Sequence, residues 1–179
     1  MKTLLAFSRQ IDALNERCAG IATWLVLAAC AVSCGNALVR YAFGVSSNAW
    51  LEIQWYLFGA LVMLGASHTL NRNEHVRVDV VYGRASTRTQ LWIDILGGLL
   101  FLLPATVLIG WLSWPMFVNS WQIGEMSLNP GGLLRWPIKI FVPLGMALLT
   151  LQGLSEIIKR VGALTGHCPL PPHYERPLQ

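Results

Sequence analysis

The residues able to perform acid–base or ligand chemistry are few, and their spacing favours no catalytic or metal site. His68 lies late in a long apolar run, and no second histidine lies inside such a run. Because a haem-binding four-helix protein needs two facing axial ligands, commonly His, haem is not expected. His75 and Asp79 would share a helix face at i and i+4, but no further ligand accompanies them. The sequence therefore predicts no cofactor and no metal.

Nucleophilic and redox chemistry is equally poorly supported. Cys30 and Cys34 lie inside an apolar run, and none of the four cysteines forms a CxxC pair. His167, Cys168 and His173 form a loose cluster in a proline-rich tail, where no specific role is predicted. No phosphate-binding loop, nucleophile elbow or zinc motif occurs. We therefore predict that the chain is not an enzyme.

The composition indicates a membrane protein. Of the 179 residues, 54% are hydrophobic and 12% are charged, which is about half of the charged fraction of a soluble domain. A bilayer can accept that much apolar surface. The net charge of +4 could suggest nucleic-acid binding, but Lys and Arg lie at the edges of apolar runs rather than together on one face. Nucleic acid is therefore not an expected partner.

Four apolar runs predict an all-α integral membrane protein with four transmembrane helices. About 20 residues at 1.5 Å rise cross the ~30 Å hydrocarbon core. The first run is longer than a signal-peptide core and follows polar residues, so it is expected to remain as a helix. One membrane domain is predicted over residues 1–165, with its spans at about 18–40, 50–70, 92–118 and 138–158.

The third run is too long for one straight span. Residues 95–124 carry no charge, and a straight helix of that length would exceed the hydrocarbon core. The helix must tilt, bend or end early. Pro104 is the candidate position for a bend.

Two polar segments complete the predicted architecture. Residues 72–89 mix charged side chains with valines, which predicts an amphipathic segment along the membrane interface. Residues 166–179 are rich in proline and are expected to be a disordered tail.

The distribution of basic residues predicts the orientation. Ten of the 13 Lys and Arg residues lie in the two termini and the 72–89 segment, and three lie in the other loops. Because cytoplasmic loops carry the excess of Lys and Arg, both termini and the interfacial segment are predicted to be cytoplasmic.

Glu52 lies about one turn inside the second predicted span, near the outer interface. It could reach the headgroups by snorkelling, or it could form a hydrogen bond or ion pair within the membrane. Arg40, at the outer end of the first span, is a candidate partner. The sequence leaves these alternatives open.

A transporter that works alone usually carries polar groups or broken helices near mid-bilayer. No Asp, Glu, Lys or Arg lies in the central third of any run here. The sequence therefore predicts a protein that needs a membrane partner. A small redox or enzyme anchor and a self-assembling channel remain alternatives.

Several motifs resemble the small membrane subunit of tripartite ATP-independent periplasmic (TRAP) transporters. They occur in the family's order across about two-thirds of the chain, from the first span to the fourth. The motifs are Arg40–Phe43, Trp50–Glu52, Leu64–Ala66, His75–Val80, Asn129–Leu133, Arg135–Lys139 and Leu151–Gly153.

This resemblance implies partners and a location. Such systems pair a periplasmic substrate-binding protein with a large membrane subunit, which resembles elevator-type transporters and carries the substrate and sodium sites. The small subunit is then expected to be a non-catalytic scaffold for sodium-coupled symport, a form of secondary active transport, with an organic acid as substrate. The expected location is the bacterial inner membrane, where lipids also contact the chain.

The resemblance also implies roles for particular residues. Arg40, Trp50 and Glu52 would stabilise the outer ends of the first two helices or contact the large subunit. The cytoplasmic interfacial segment would be fixed by His75, Arg77 and Asp79. The loop before the fourth span could contact the binding protein, or it could equally be a simple connection between helices. The candidate residues for this contact are Glu125, Asn129, Arg135 and Trp136.

Overall fold

The computed structural model contains four long helices and, among the residues it describes, no strand. It describes residues 1–45, 47–74, 82–83 and 85–168. Each helix is long and apolar enough to cross a membrane, which confirms the predicted all-α membrane fold. The helices are α1 (Lys2–Phe43), α2 (Asn48–Asn71), α3 (Thr87–Gln122) and α4 (Trp136–Leu164). Most of the predicted interfacial segment and of the tail lies outside the described residues.

Local sequence signals set three of the helix ends. Gly44 adopts a left-handed conformation (φ 65°) and its N–H donates to Arg40 O, which ends α1. The hydroxyl of Ser47 accepts a hydrogen bond from the Ala49 N–H at the start of α2. Ser86 Oγ accepts one in the same way from the Thr89 N–H of α3. These caps satisfy backbone groups that have no partner within the helix.

The fourth helix is the centre of the bundle. It packs against α1, α2 and α3, whereas α3 packs mainly against α4. One-third of the most apolar window of α4 is buried (33%), compared with 6% for α1. A small core of Ala22, Leu64 and Leu148 joins α1, α2 and α4. We call the end of the bundle that holds the N-terminus and the end of α4 the terminal end, and the opposite end the loop end.

The π-helical turn Gly98–Leu102 interrupts α3 shortly before Pro104, the position at which the sequence predicts a bend. The Leu103 N–H donates to Gly98 O, which is a bond from i to i−5 rather than i−4. Pro104 follows in the first turn of the next α-helical part. Proline is tolerated in the first turn of a helix, because the N–H that it lacks would have no partner there. Thr150 Oγ1 then donates to Thr106 Oγ1 at 2.8 Å and ties α3 to α4 beyond the turn.

A small residue lets the α2 and α4 backbones approach closely at Gly145. A Cβ added to Gly145 would lie 2.8 Å from Met63 Cβ and 2.9 Å from the Met63 backbone oxygen. Gly65, also on α2, has no such neighbour within 4 Å. The close helix contact therefore depends on Gly145.

Replacing Gly145 with Ala is expected to destabilise the bundle. The new methyl group would meet the Met63 backbone, and such overpacking costs about 1–3 kcal/mol. The matched variant Gly65→Ala should be neutral or stabilising by about 0.5–1 kcal/mol, because glycine is a poor helix former. Thermal unfolding of the two purified variants in the same detergent measures the difference. Equal melting temperatures would contradict the close contact.

Candidate functional site

A buried carboxylate fastens the loop before α4 to the second helix. Glu52 lies in the first turns of α2 and is 7% exposed. Its Oε1 accepts hydrogen bonds from Ser127 Oγ and from Asn129 Nδ2, the latter at 2.9 Å. Its Oε2 accepts one from the Leu133 N–H at 2.7 Å. Glu52 therefore binds the 123–135 loop rather than Arg40, which is exposed on α1.

The loop is also held by a bridge within its own backbone and by further contacts with α2. Met126 and Leu134 form an antiparallel bridge. Asn48 Nδ2 at the start of α2 donates to Pro130 O at 3.0 Å. A Cβ at Gly132 would collide with Ser127 and would lie 2.9 Å from Glu52 Oε1. Glycine is therefore required where the loop closes over the carboxylate.

A second carboxylate joins the loop to the first turn of α4. Glu125 forms an ion pair with Lys139, and Arg135 Nη1 lies 4.0 Å from Glu125 Oε1. The Arg135 N–H also donates to Glu125 O at 2.8 Å. The hydrogen bond from Lys139 is the main reason why the pKa of the Glu125 carboxyl is lowered from its ordinary value of 4.5.

This pKa shift predicts how the loop responds to acid. Because the folded state holds the carboxyl of Glu125 ionised, its contribution to stability is complete above about pH 4.5 and is lost as the pH falls through the lowered pKa. We expect Glu125→Gln to lower the melting temperature at neutral pH, and the difference from the native chain to shrink steadily as the pH falls below about 4.5. Melting curves from neutral to acidic pH measure this difference. A difference that did not depend on pH would contradict the role of the ion pair.

The loop residues expected to contact a partner are used inside the protein. Asn129 binds Glu52, and Glu125 binds Lys139. The Trp136 ring lies 4.6 Å from that of Trp121 on α3. Asn129 and the Arg135 side chain nevertheless remain exposed, and the loop also exposes apolar side chains, with Leu128 93% exposed.

The remaining predicted residues divide into two groups. Trp50 is exposed on α2 (47%), next to the buried Glu52. The other three, His75, Arg77 and Asp79, lie outside the described residues.

At the terminal end, a buried polar network joins α1 to α4. Asn15 Nδ2 donates to Gln152 Oε1 at 2.6 Å. Gln152 Nε2 and Ser155 Oγ both donate to Asp12 Oδ1, each at 2.9 Å. Asn15, Gln152 and Ser155 are fully buried. The polar face of the N-terminal helix is therefore matched to α4 rather than to water.

The network continues across α4 to α3. Arg160 Nε donates to Asp94 Oδ2 at 2.9 Å, and the same guanidinium pairs with Glu156. Lys159 pairs with Asp12 at 3.2 Å. The side chains of Arg160, Asp94 and Glu156 are only 13–16% exposed. These charges hold three helices together at one level.

Sequence reasoning missed this network, although a signal for it exists. Ser8, Asp12 and Asn15 recur at i, i+4 and i+7, which places them on one face of a helix. A helical spacing also relates Gln152 to Glu156 on α4. Two polar stripes of the same period predict two helices that face each other. They do not identify which residues pair.

Across the described residues, these charged groups join elements of the fold, and no cluster of three or more His, Cys, Asp or Glu could hold a metal ion. Combined with four helices that can each cross a membrane, they define a multi-pass membrane protein with a polar cluster at each end of the bundle.

Comparison with known proteins gives the family. The chain matches the family model of the tripartite ATP-independent periplasmic transporters, DctQ component, over residues 18–163. It is 27% identical over 124 residues to a Haemophilus influenzae protein assigned as a TRAP transporter small permease protein. That alignment covers 68% of this chain and 76% of the relative. No solved structure matches the chain.

This chain belongs to the DctQ family, the small permease subunits of TRAP transporters. It is a multi-pass membrane component of a transport system and not an enzyme. Membership implies partnership with a large membrane subunit and a substrate-binding protein.

Proposed function

We propose that this subunit is a rigid scaffold for the large membrane subunit. The observation that carries the proposal is the pairing of charged side chains at both ends of the bundle. Glu52 and Glu125 fasten the loop end, and Arg160 links α3 and α4 at the terminal end. A bundle fixed in this way suits a part that stays still while its partner moves.

The apolar surface of the bundle supports the same proposal. Among the described residues, large apolar side chains are exposed along α1 and α3. Phe101 and Trp111 of α3 are 75% and 77% exposed, and Trp24 of α1 is 72% exposed. Lipid or a membrane partner must cover such side chains. The large subunit would cover part of this surface, with lipids covering the rest.

The transport reaction itself would belong to the other subunits. Sodium-coupled uptake of an organic acid, delivered by a periplasmic binding protein, is what the family resemblance implies. The excess of Lys and Arg at the terminal end supports an inner-membrane orientation with both termini in the cytoplasm. The 123–135 loop would then face the periplasm, where its exposed Leu128 could contact the binding protein.

The predicted partner residues take correspondingly different roles. Arg40 and Trp50, which are exposed, would contact the large subunit near the loop end. Glu52 would act indirectly by holding the loop. The interfacial segment would be fixed at the cytoplasmic surface by His75, Arg77 and Asp79.

The proposal is tested by expressing the large subunit of the same system with and without this chain. We expect the large subunit to be less abundant in the membrane, and less monodisperse after solubilisation, when this chain is absent. An unchanged amount and quality of the large subunit would contradict the scaffold role.

A second measurement separates the alternatives. Purified alone and reconstituted into liposomes, this chain should conduct no sodium and show no haem absorbance. Sodium flux through this chain alone would favour a self-assembling channel, and a bound chromophore would favour a redox anchor.

A further inference from the structure

A cleft separates α2 from α3 at the terminal end of the bundle. Among the described residues, α2 packs on α1 and α4, and α3 packs on α4, but α2 and α3 form no extended contact with each other. The fourth helix therefore lies at the base of the cleft. The cleft contains a cavity of about 370 Å³, which is within the volume range of small-ligand sites.

Glycines leave the space for this cavity. Gly97 and Gly98 of α3 and Gly153 of α4 all line it. A Cβ added to Gly153 would lie 2.9 Å from Leu102 Cδ2, whereas one added to Gly97 would meet nothing within 4 Å. Position 97 therefore has room for a larger side chain, which would extend into the cavity.

The cavity is charged at one end and apolar at the other. Arg160 and Gly153 of α4 both line it, and they lie about 10 Å apart along the helix. Asp94 and Leu102 of α3 are likewise about 12 Å apart. The charged residue of each pair is nearer the terminal end, close to the predicted ends of the third and fourth spans. The cavity therefore runs from the membrane interface into one leaflet, whose hydrocarbon is about 15 Å deep.

Neither water nor a helix fits the apolar part of the cavity. Beyond the charged end, its lining consists of glycines and of aliphatic side chains such as Leu102 and Ile157, whereas buried water requires polar partners. A helix is about 10 Å wide, so a 10 Å length of it fills roughly 800 Å³, more than twice the cavity. A lipid acyl chain is narrow enough to enter, and lipid surrounds the protein at this depth.

The charged end indicates which headgroup accompanies the acyl chain. Arg160 Nε donates to Asp94, and Nη1 donates to Glu156, but Nη2 donates to none of the described residues. Arginine N–H groups form strong hydrogen bonds with phosphate. The unused Nη2 group can therefore bind a phosphate oxygen of a lipid headgroup.

The balance of charge disfavours an anionic lipid. The described lining holds two carboxylates and one guanidinium. The ion pairs behind it add Lys159 and Asp12, so the cluster contains three carboxylates and two cations. Basic pockets bind anionic headgroups, whereas this cluster would repel a second negative charge. A headgroup that carries an ammonium group as well as a phosphate is complementary to it.

We propose that this cavity binds phosphatidylethanolamine, with one acyl chain between α2 and α3, its phosphate at Arg160 and its ammonium group beside the two carboxylates. The bound lipid joins α2 to α3, which the described residues leave apart. The site is formed by this chain alone, so it goes beyond the scaffold function and does not depend on it.

The test titrates the purified full chain with phosphatidylethanolamine and with phosphatidylglycerol of the same acyl chains, and native mass spectrometry counts the bound lipids. We expect one phosphatidylethanolamine molecule to bind about tenfold more tightly than the anionic lipid. Gly97→Leu fills the cavity and should weaken that binding about tenfold. The matched control is Gly20→Leu on α1, where an added Cβ also meets nothing within 4 Å, and it should bind as the native chain does.

The melting temperature without added lipid checks the fold of Gly97→Leu, which should equal or exceed the native value because Leu is the better helix former. If this variant did not fold, the comparison of the two lipids on the native chain would decide. Equal affinity for both lipids, a preference for phosphatidylglycerol, or native affinity in a folded Gly97→Leu would overturn the proposal. Displacement of the lipid when the large subunit binds would also overturn it, because the cleft would then belong to that subunit.

Discussion

Replacement of Arg160 by Ala is expected to destabilise the bundle more than replacement of Gly145 or Glu125. The guanidinium links Asp94 of α3 to Glu156 of α4, and all three side chains are at least four-fifths buried. Removing one partner of a buried ion pair leaves charge without compensation and costs about 3–5 kcal/mol. The melting temperature of the purified protein should fall by about 10 °C.

Two further variants show whether the geometry or the charge matters. Arg160→Lys keeps the charge but cannot donate to both carboxylates through a planar fork, so it should cost less than Ala but remain measurable. Arg9→Ala, at an exposed arginine of α1, should leave the melting temperature within about 1–2 °C of the native value. If Arg160→Ala behaved like Arg9→Ala, the buried network would have no stabilising role.

Replacement of Glu52 by Ala should release the 123–135 loop while leaving the helices formed. The carboxylate accepts hydrogen bonds from Ser127, Asn129 and the Leu133 N–H, and alanine offers none of these acceptors. Losing these interactions raises the population of an opened segment about 5- to 30-fold. Amide hydrogen exchange in the loop, measured by mass spectrometry, should accelerate by about tenfold.

The control for Glu52 is a carboxylate at the other end of the bundle. Glu16 is more than half exposed and pairs with Arg72 at 3.5 Å, so Glu16→Ala should leave exchange in the loop unchanged. Glu52→Gln should be intermediate, because its amide keeps one acceptor oxygen but presents an NH₂ group to a donor. If amide exchange in the loop of Glu52→Ala were as slow as in the native chain, the backbone contacts of the loop would be sufficient to keep it closed.

The four helices were predictable because lipid imposes a simple pattern on sequence. An uncharged run of about 20 residues is sufficient to predict a span, and all four runs correspond to long helices. The start of α1 was harder to predict from the sequence. Its first turns are polar on one side, and they are helical because Ser8 and Asn15 pair with α4 rather than because they enter the membrane.

The partners of individual side chains were not predictable from one sequence. Glu52 was recognised as unusual, but its hydrogen-bond donors lie 75–81 residues away in a turn-rich loop. Arg40, the candidate suggested by proximity to the same end of the bundle, is exposed. The choice among snorkelling, hydrogen bonding and ion pairing depends on how the loop folds back over α2, and periodicity carries no information about that.

The central claim is that this chain scaffolds a larger membrane protein, and affinity purification tests it most directly. The chain is tagged, expressed with the other components of its transport system and solubilised gently, and the retained proteins are identified and counted. The account predicts one copy of a many-helix membrane subunit per copy of this chain. A chain that purifies alone or as a homo-oligomer, while the other components are present in the same membrane, would contradict the account.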